Sequence, residues 1–299
     1  MRVLITGCHG QVGYCLTQQL ADNENIAVLS LDKESLDITN QEAVNNTVVE
    51  FQPSIIINAA AHTAVDKAEE EVELSYAINR DGPNYLAQAA QSVGAAILHI
   101  STDYVFEGNK VGEYQETDIT NPQGVYGESK LAGEIAVANA CDKHIILRTA
   151  WVFGENGNNF VKTMLRLGAT RDELSIVGDQ FGGPTYAGDI AHALVQIAKR
   201  ITEGNEVEYG VYHYSGLPHV SWFEFAEIIF NTAIEQAVIS NKPNLTSITT
   251  DQYPTPAKRP SNSRLSTDKI TKNFAIKASD WTAVLNNIQA YKGEDNESN

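Results

Sequence analysis

The stretch Arg2-Val3-Leu4-Ile5-Thr6-Gly7-Cys8-His9-Gly10-Gln11-Val12-Gly13 decides how this chain is read. Val3 to Thr6 is an apolar, β-branched run and reads as a first strand. The residues after the glycines, through about Leu20, read as an amphipathic helix. The glycines stand between the two at G-x-x-G-x-x-G spacing. A pyrophosphate binds at such a junction because N–H groups at a helix N-terminus face it and side chains would block its approach. Gly7 would make the tight turn, Gly10 would admit the ligand, and Gly13 would let helix and strand pack closely. Gln11 and Val12 open the helix that supplies the N–H groups. Three glycines alone also describe a plain structural turn. Their place after a strand and before a helix favours dinucleotide binding.

Working outward, Ile26 to Leu31 reads as a second strand that ends at Asp32. A carboxylate there accepts hydrogen bonds from the adenosine ribose and repels a 2′-phosphate, which favours NADH over NADPH. Lys33 follows it and softens that preference. Asp37 and Ile38 are placed beside the adenine. Ser54 to Asn58, Ala96 to Ser101 and Ile145 to Arg148 read as further strands. The three isoleucines at 55–57 suit a strand covered on both faces. Helical patterns separate the strands: one opens at Thr39 or Asn40, one covers Asp66 to Ser92, and one runs from Val125 to Ala140. Strands alternating with helices predict an α/β fold, a doubly wound parallel sheet of Rossmann type with a smaller C-terminal substrate-binding domain. The expected division is 1–150 for the dinucleotide-binding domain, with about 175–208 returning to it. Residues 151–174 and 209–299 would form the substrate-binding domain. Within these, helices are expected at Asn159–Leu167, Ala187–Arg200, Ser221–Gln236 and Ser279–Tyr291, and a strand at Tyr209–Tyr214. The polar end, Gly293 to Asn299, is expected to fray.

The chain has 299 residues, of which 42% are hydrophobic and 20% charged, a composition typical of globular proteins. With 21 basic against 38 acidic side chains its formal charge is −17, which excludes a nucleic-acid or acidic-membrane binder that needs a basic face. Three cysteines without a CxxC pair predict neither a disulfide framework nor a zinc site, and no metal ligand set is assigned. No signal-peptide core and no membrane-length apolar run is present, so a cytoplasmic location is expected.

Two groups carry chemistry. Tyr126-Gly127-Glu128-Ser129-Lys130 puts a phenol and an ammonium four residues apart, on one helix face. An ammonium nearby would lower the phenol's pKa from about 10 and make it a usable general acid. Read alone, the pair is also an ordinary surface pair. Ser101-Thr102-Asp103-Tyr104 closes the fourth strand, at the carboxyl ends where open α/β sheets bind ligands. A hydroxyl there donates to a carbonyl oxygen as charge develops, and Thr102 is the candidate.

The glycine loop, the Asn58-Ala59-Ala60 run, Thr102 and Tyr126-x-x-x-Lys130 together resemble the extended short-chain dehydrogenase/reductase superfamily. Within it, Asn58 to Glu69, Ser101 to Phe106, Val125 to Glu134, Arg148 to Phe153 and Arg259 to Leu265 are similar to the dTDP-4-dehydrorhamnose reductase family. The resemblance runs over nearly the whole chain. It implies reduction of a sugar C4 ketone by NADH or NADPH in dTDP-rhamnose biosynthesis, with a nucleotide sugar as substrate. By matching motif it makes Tyr126 the acid, Lys130 the cation that holds the ribose, and Thr102 the donor to the C4 oxygen. It sets Ala59, Ala60, Ala61, Thr63 and Ser101 along the cofactor. It sets Asp103, Tyr104, Val65 and Trp151 around the sugar, with His62 at the nicotinamide end or as a satisfied loop residue. Lys258 or Arg259 would meet the diphosphate. Some members of that family are reported to dimerise through Mg2+ held by acidic residues. Gly182 to Asp189 offers no acidic ligand at the matching place, Asp189 being adjacent but not aligned, so Mg2+ and the choice between monomer and homodimer stay open.

Two other readings remain at this stage. A nucleotide-sugar dehydratase or epimerase would use the same scaffold. A dehydratase places Thr-Asp-Glu after strand four, whereas here Tyr104 follows Asp103. A non-catalytic dinucleotide-binding regulatory subunit, resembling that of methionine adenosyltransferase, would not need an intact Thr102, Tyr126 and Lys130.

Overall fold

Five parallel strands carry the larger layer: β1 (Arg2–Thr6), β2 (Ala27–Leu31), β3 (Ile55–Asn58), β4 (Ala96–Thr102) and β5 (His144–Thr149). The computed structural model describes residues 1–292 except Asp22 and Glu24. The expected fraying of Gly293–Asn299 lies outside the described residues.

The strands owe their apolar character to burial on both sides. Val3 and Ile5 of β1, Ile55 and Ile57 of β3, Leu98 of β4 and Ile145 and Leu147 of β5 enter one core layer. Leu4, Ile56, Ile97 and Ile146, the alternate positions, enter the other. A period of two against two covered faces produces the unbroken isoleucine runs. Helices Gln11–Ala21 and Ala187–Thr202 cover the first face. Gln41–Phe51, Gly82–Val93 and Val125–Ala140 cover the second. Asn40 caps Gln41–Phe51, its side chain accepting from the Ala43 N–H at 3.1 Å.

The sheet order is β2-β1-β3-β4-β5 and then Gly210–His213, all parallel. This corrects the expected domain division. Residues 210–213 were assigned to the smaller domain, yet they pair with β5 in the register Val211↔Ile146 and Tyr212↔Leu147. Tyr212 enters one core layer and Val211 packs on the other, the pattern of a strand covered on both faces. The helix Asp268–Phe274 also joins the large layer, through Ile270 and Phe274. The return to this layer before Gly210 is made by the helix Ala187–Thr202. Glu173–Val177 instead pairs in parallel with Asn244–Ile248 in the smaller part. A short stretch such as Asn244–Ile248 carries little apolar signal, and only its partner makes it a strand.

The smaller part has its own core of Phe153, Val161, Met164, Ile176, Phe225, Phe230, Trp281 and Tyr291. The single terminal helix expected over Ser279–Tyr291 is instead Trp281–Leu285 followed by a 3-10 turn at Ile288–Tyr291. Asn286 and Asn287, poor helix formers, stand at the break.

Ser221 heads the helix Trp222–Glu235 with a reciprocal cap. The Glu224 N–H donates to its Oγ at 3.1 Å, and its own N–H donates to the Glu224 carboxylate at 2.6 Å. Ser221→Ala is expected to lower stability by about 1 kcal/mol. A urea midpoint shifted downward at unchanged slope would show it, and an unshifted midpoint would deny the cap that role.

Candidate functional site

The chain runs from β1 outward to β2 and later returns on the other side of β1 as β3, so a crevice opens beyond the ends of β1 and β3. Gly7 turns there with φ +71°, a conformation glycine adopts without strain. A Cβ on Gly7 would stand 2.6 Å from the Ala60 nitrogen, and one on Gly13 would stand 2.1 Å from the Gly7 carbonyl oxygen. A Cβ on Gly10 would meet only that carbonyl, 3.3 Å away, so this position faces open space. Loop and helix N-terminus therefore form a tight cradle with an open mouth, which fits a dinucleotide's pyrophosphate.

The other residues expected at the cofactor fall as follows. Val12 is buried, so only its backbone reaches the mouth. The Gln11 side chain is engaged across the lobes, accepting from Asn159 Nδ2 at 3.1 Å. Asp32 stands just past β2, where its Oδ1 accepts from the Ser35 N–H at 2.8 Å and hydroxyl at 2.7 Å. The Ser35 hydroxyl, then its N–H, then nearby His9 hold the Asp32 carboxyl below the usual carboxylate range. Asp37 accepts from the Thr39 N–H and hydroxyl. Ile38 is a core side chain, 4% exposed and lying against Gly82, which leaves its backbone to any ligand.

After β3, Asn58 ties three strands together. Its Oδ1 accepts from the Thr6 hydroxyl at 2.7 Å and from the Ala60 N–H at 3.1 Å, and its Nδ2 meets His99 Nδ1 at 3.0 Å. Ala59 and Ala61 are half-buried along this loop and Thr63 is exposed. His62 is a satisfied loop residue, with Nδ1 2.9 Å from Ser75 Oγ and Nε2 3.1 Å from the Glu71 carboxylate.

Thr102, Tyr126 and Lys130 converge at the end of β4. Thr102 Oγ1 donates to Asp103 at 3.2 Å and accepts from the Tyr104 N–H at 3.2 Å. Tyr104 meets Tyr126 edge-on, with ring centroids 5.3 Å apart. Lys130 is 2% exposed and donates to the Ile100 carbonyl at 2.7 Å. The pKa expectation for this pair is corrected. Burial pushes the Tyr126 phenol up to about 12, against the bond from Thr102 and with a further push from Asp103. Burial pulls Lys130 down to about 8, opposed by Glu134. Desolvation of the phenolate is the largest cause, and Lys130 is not among the groups that shift Tyr126. The hydroxyls of Ser101 and Thr149, at the same rim, are buried with no partner among the described residues. Such orphaned groups suit a ligand.

Sequence reasoning did not single out Asn79 or Trp222. Asn79 lies in a π-helical stretch, Ala77–Asp81, just before Pro83. Proline has no N–H to bond the carbonyl four residues back, which loosens the turn there. The Asn79 side chain holds the His62 N–H and carbonyl and the Ser129 hydroxyl, and so joins the β3 loop to the Tyr126 helix. The N-P spacing at 79 and 83 was the available signal.

Trp151 has φ +49° and stacks on Trp222 with ring centroids 3.5 Å apart. Gly182 lies flat against it, where a Cβ would stand 2.5 Å from the indole. Trp222 in turn leans on Phe160. These rings line a cleft of about 1000 Å³ between the two parts, together with Tyr104, Arg171 and Arg259. A small recess holding Tyr126 and Val65 shares Tyr104 and Arg259 with that cleft, so these two side chains stand where the recess opens into it. Arg259 donates to Asp66 at 2.6 Å, while its Nη1 is buried with no partner among the described residues. Lys258 is bonded to Gln123.

Among the described residues, no group of three or more His, Cys, Asp or Glu side chains has the placement to hold a metal ion. No helix there is long and apolar enough to cross a membrane.

Residues 1–292 match the family model of the RmlD substrate binding domain. The chain is 54% identical to a dTDP-4-dehydrorhamnose reductase of Aggregatibacter actinomycetemcomitans, over 97% of this chain and 99% of that one. The chain belongs to the dTDP-4-dehydrorhamnose reductase family. Its fold superposes on the crystal structure of such a reductase from Clostridium acetobutylicum with a TM-score of 0.88 at 44% identity, covering 97% of this chain and 98% of that one. A Bacillus anthracis reductase solved in complex with NADP gives a TM-score of 0.87 at 39% identity, covering 96% and 98%. A UDP-glucose 4-epimerase from Thermus thermophilus shares the fold at 20% identity, which speaks for the scaffold alone.

Asp103 is 4% exposed, and burial raises its carboxyl from the usual value to about 6, against hydrogen bonds from Ser263 and Thr102. A carboxyl with a raised folded-state pKa stabilises fully below its unfolded value, and that contribution is lost as pH rises through the folded value. The wild type should therefore lose on the order of 2–3 kcal/mol, relative to Asp103→Asn, between about pH 4 and pH 7. Urea midpoints of the two proteins across this range measure it; parallel curves would refute it.

Proposed function

We propose that this chain reduces the C4 ketone of dTDP-4-dehydro-β-L-rhamnose, giving dTDP-β-L-rhamnose, at the expense of a reduced nicotinamide dinucleotide. The observation that carries this reading is that Thr102 at the end of β4 and Tyr126 and Lys130 of the helix Val125–Ala140 meet at the sheet rim, Lys130 bonded to the Ile100 carbonyl and Tyr126 edge-on to Tyr104, beside a cleft of about 1000 Å³. The near-identical length and 54% identity of the Aggregatibacter reductase support the substrate.

When bound, the dinucleotide supplies the hydride. Gly7, Gly10 and Gly13 with the backbone of Gln11 and Val12 would hold its pyrophosphate, and Asp32 its adenosine ribose. The backbone at Asp37 and Ile38 would border the adenine, and Ala59, Ala60, Ala61, Thr63 and Ser101 would line the path to the rim. With its hydroxyl turned from Asp103 toward the substrate, Thr102 would donate to the C4 oxygen and so polarise the ketone. Tyr126 gives its proton to the oxygen as negative charge develops. A phenol raised to about 12 stays protonated at neutral pH, and an alkoxide is a far stronger base, so the transfer runs downhill. Lys130 holds the nicotinamide ribose with a buried positive charge. Tyr104 and Val65 border the sugar, and Asp103 braces Thr102 from below. Trp151, stacked on Trp222, offers a flat apolar face in the cleft. Arg259, whose Nη1 is unspent, is suited to a diphosphate oxygen.

Tyr126→Phe is expected to slow the reaction about a hundredfold or more while cofactor binding persists. NADH consumption with enzymatically made substrate, and fluorescence titration of the cofactor, give the two readouts. Full turnover by the variant would remove Tyr126 from the chemistry. For the cofactor, Asp32 favours NADH by repelling a 2′-phosphate. Asp32→Ala should raise the NADPH-to-NADH ratio of kcat/KM by about tenfold. An unchanged ratio would contradict that role.

A further inference from the structure

Farther along the helix Val125–Ala140, beyond the reacting groups, lies a second set of buried charges. Glu134 is one turn beyond Lys130 on the same helix face and is 3% exposed. Both its oxygens are gripped by Arg148 of β5, Nε to Oε1 at 2.9 Å and Nη2 to Oε2 at 2.7 Å. Arg148 is 4% exposed and lies over the Phe106 ring, 5.0 Å from its centroid. Its Nη1 has no partner among the described residues. A buried ion pair adds little net stability over apolar side chains of the same size, so stability does not account for this one.

We propose that Glu134, clamped by Arg148, is a positioning residue of the reaction, the counter-charge that keeps Lys130 an ammonium ion in the interior. This rests on Lys130 being the cation of the reductase site. The charged and titratable surroundings of Lys130 support the assignment. Tyr126 on its own helix is neutral. His99 of β4 is driven well below its usual pKa, first by burial and then by Lys130 itself, so it brings no negative charge. Asp103, in the turn after β4, acts on Tyr126. Arg148 of β5 is turned to Glu134. Arg80 and Asp81, from the segment packed on the helix's other flank, pair with each other near the surface. Glu134 is the carboxylate that opposes the burial of Lys130. Arg148 divides that carboxylate's field but fixes its place. Without Glu134, burial acts on Lys130 unopposed, and the ammonium is lost at lower pH.

The test compares the wild type with Glu134→Gln and with the double variant Glu134→Gln/Arg148→Met. The single change strands a buried guanidinium, and the double change removes both charges at similar volume, which keeps the fold testable. Two quantities are read: the alkaline limb of the pH–rate profile for NADH-dependent reduction, and the Lys130 titration followed by NMR of its 13C-labelled Cε in the cofactor-free protein. The expected result is an acidward shift of about one pH unit in both, in the folded double variant. A folded double variant with the wild-type Lys130 titration overturns the proposal and reduces the pair to a structural brace. A wild type that titrates as expected but turns over no substrate overturns the reductase reading instead, while the titration of the variants still decides the charge coupling.

Discussion

The closeness of the helix Val125–Ala140 to its neighbours is the constraint on which the rest of the site depends. A Cβ on Gly127 would lie 2.3 Å from the Tyr104 carbonyl oxygen, and one on Gly133 would lie 2.0 Å from the Asn79 carbonyl oxygen. Two glycines six residues apart therefore press the helix against the turn after β4 on one side and the π-helical stretch on the other. Between them Lys130 reaches the Ile100 carbonyl, and just past Gly133 the Glu134 side chain meets Arg148 of β5. Four contacts within eight residues of the helix hold it against sliding. Tyr126 is thereby held at the rim beside Tyr104, and under the proposed reaction a phenol displaced by an ångström would lose its reach to the ketone oxygen.

The sheet rim and the smaller part meet at Tyr104 and Arg259. Arg259 comes from a proline-bearing segment far along the chain, yet it bonds Asp66 in the loop after β3. Ala257 donates its N–H to the same carboxylate, and Ser261 reaches the Gly108 carbonyl. The segment lines the cleft through Thr255, Arg259 and Pro260. Asn156 donates to the His9 carbonyl and Asn159 to Gln11, so the smaller part also touches the glycine loop. The glycine loop and the cleft thus both border on residues from the two parts of the chain. The aromatic stack of Trp151, Trp222 and Phe160 forms part of the cleft wall.

Much of the larger layer is legible in order. β1 through β5, the Asn40 cap and the ends of the Val125–Ala140 helix follow from alternation, capping residues and glycine placement, which are local signals. The Gly210–His213 strand is legible as a strand but not as a member of the large sheet. Its partner, β5, lies more than sixty residues earlier, and nothing local says which sheet a strand joins. Tyr126, Thr102 and Lys130 are legible because spacing on one helix and position at a strand end are local facts. Their pKa values are not. Burial, which raises Tyr126 and lowers Lys130, depends on what the whole fold stacks over them. Asn79 and Trp222 escape for the same reason, since each acts through residues distant in sequence.

By itself, the order of residues determined the alternation of strands and helices, the glycine turn and the presence of a phenol, an ammonium and a hydroxyl at the right kinds of position. Such features rest on backbone geometry over a few residues, where periodicity and φ preferences decide. Only the tertiary structure decided which strands are neighbours, that Arg259 crosses to Asp66, that Trp151 stacks on Trp222, and that Lys130 lies buried one turn from a carboxylate already held by Arg148. Those outcomes come from desolvation and packing between distant segments, and both energies exist only once the chain has closed on itself.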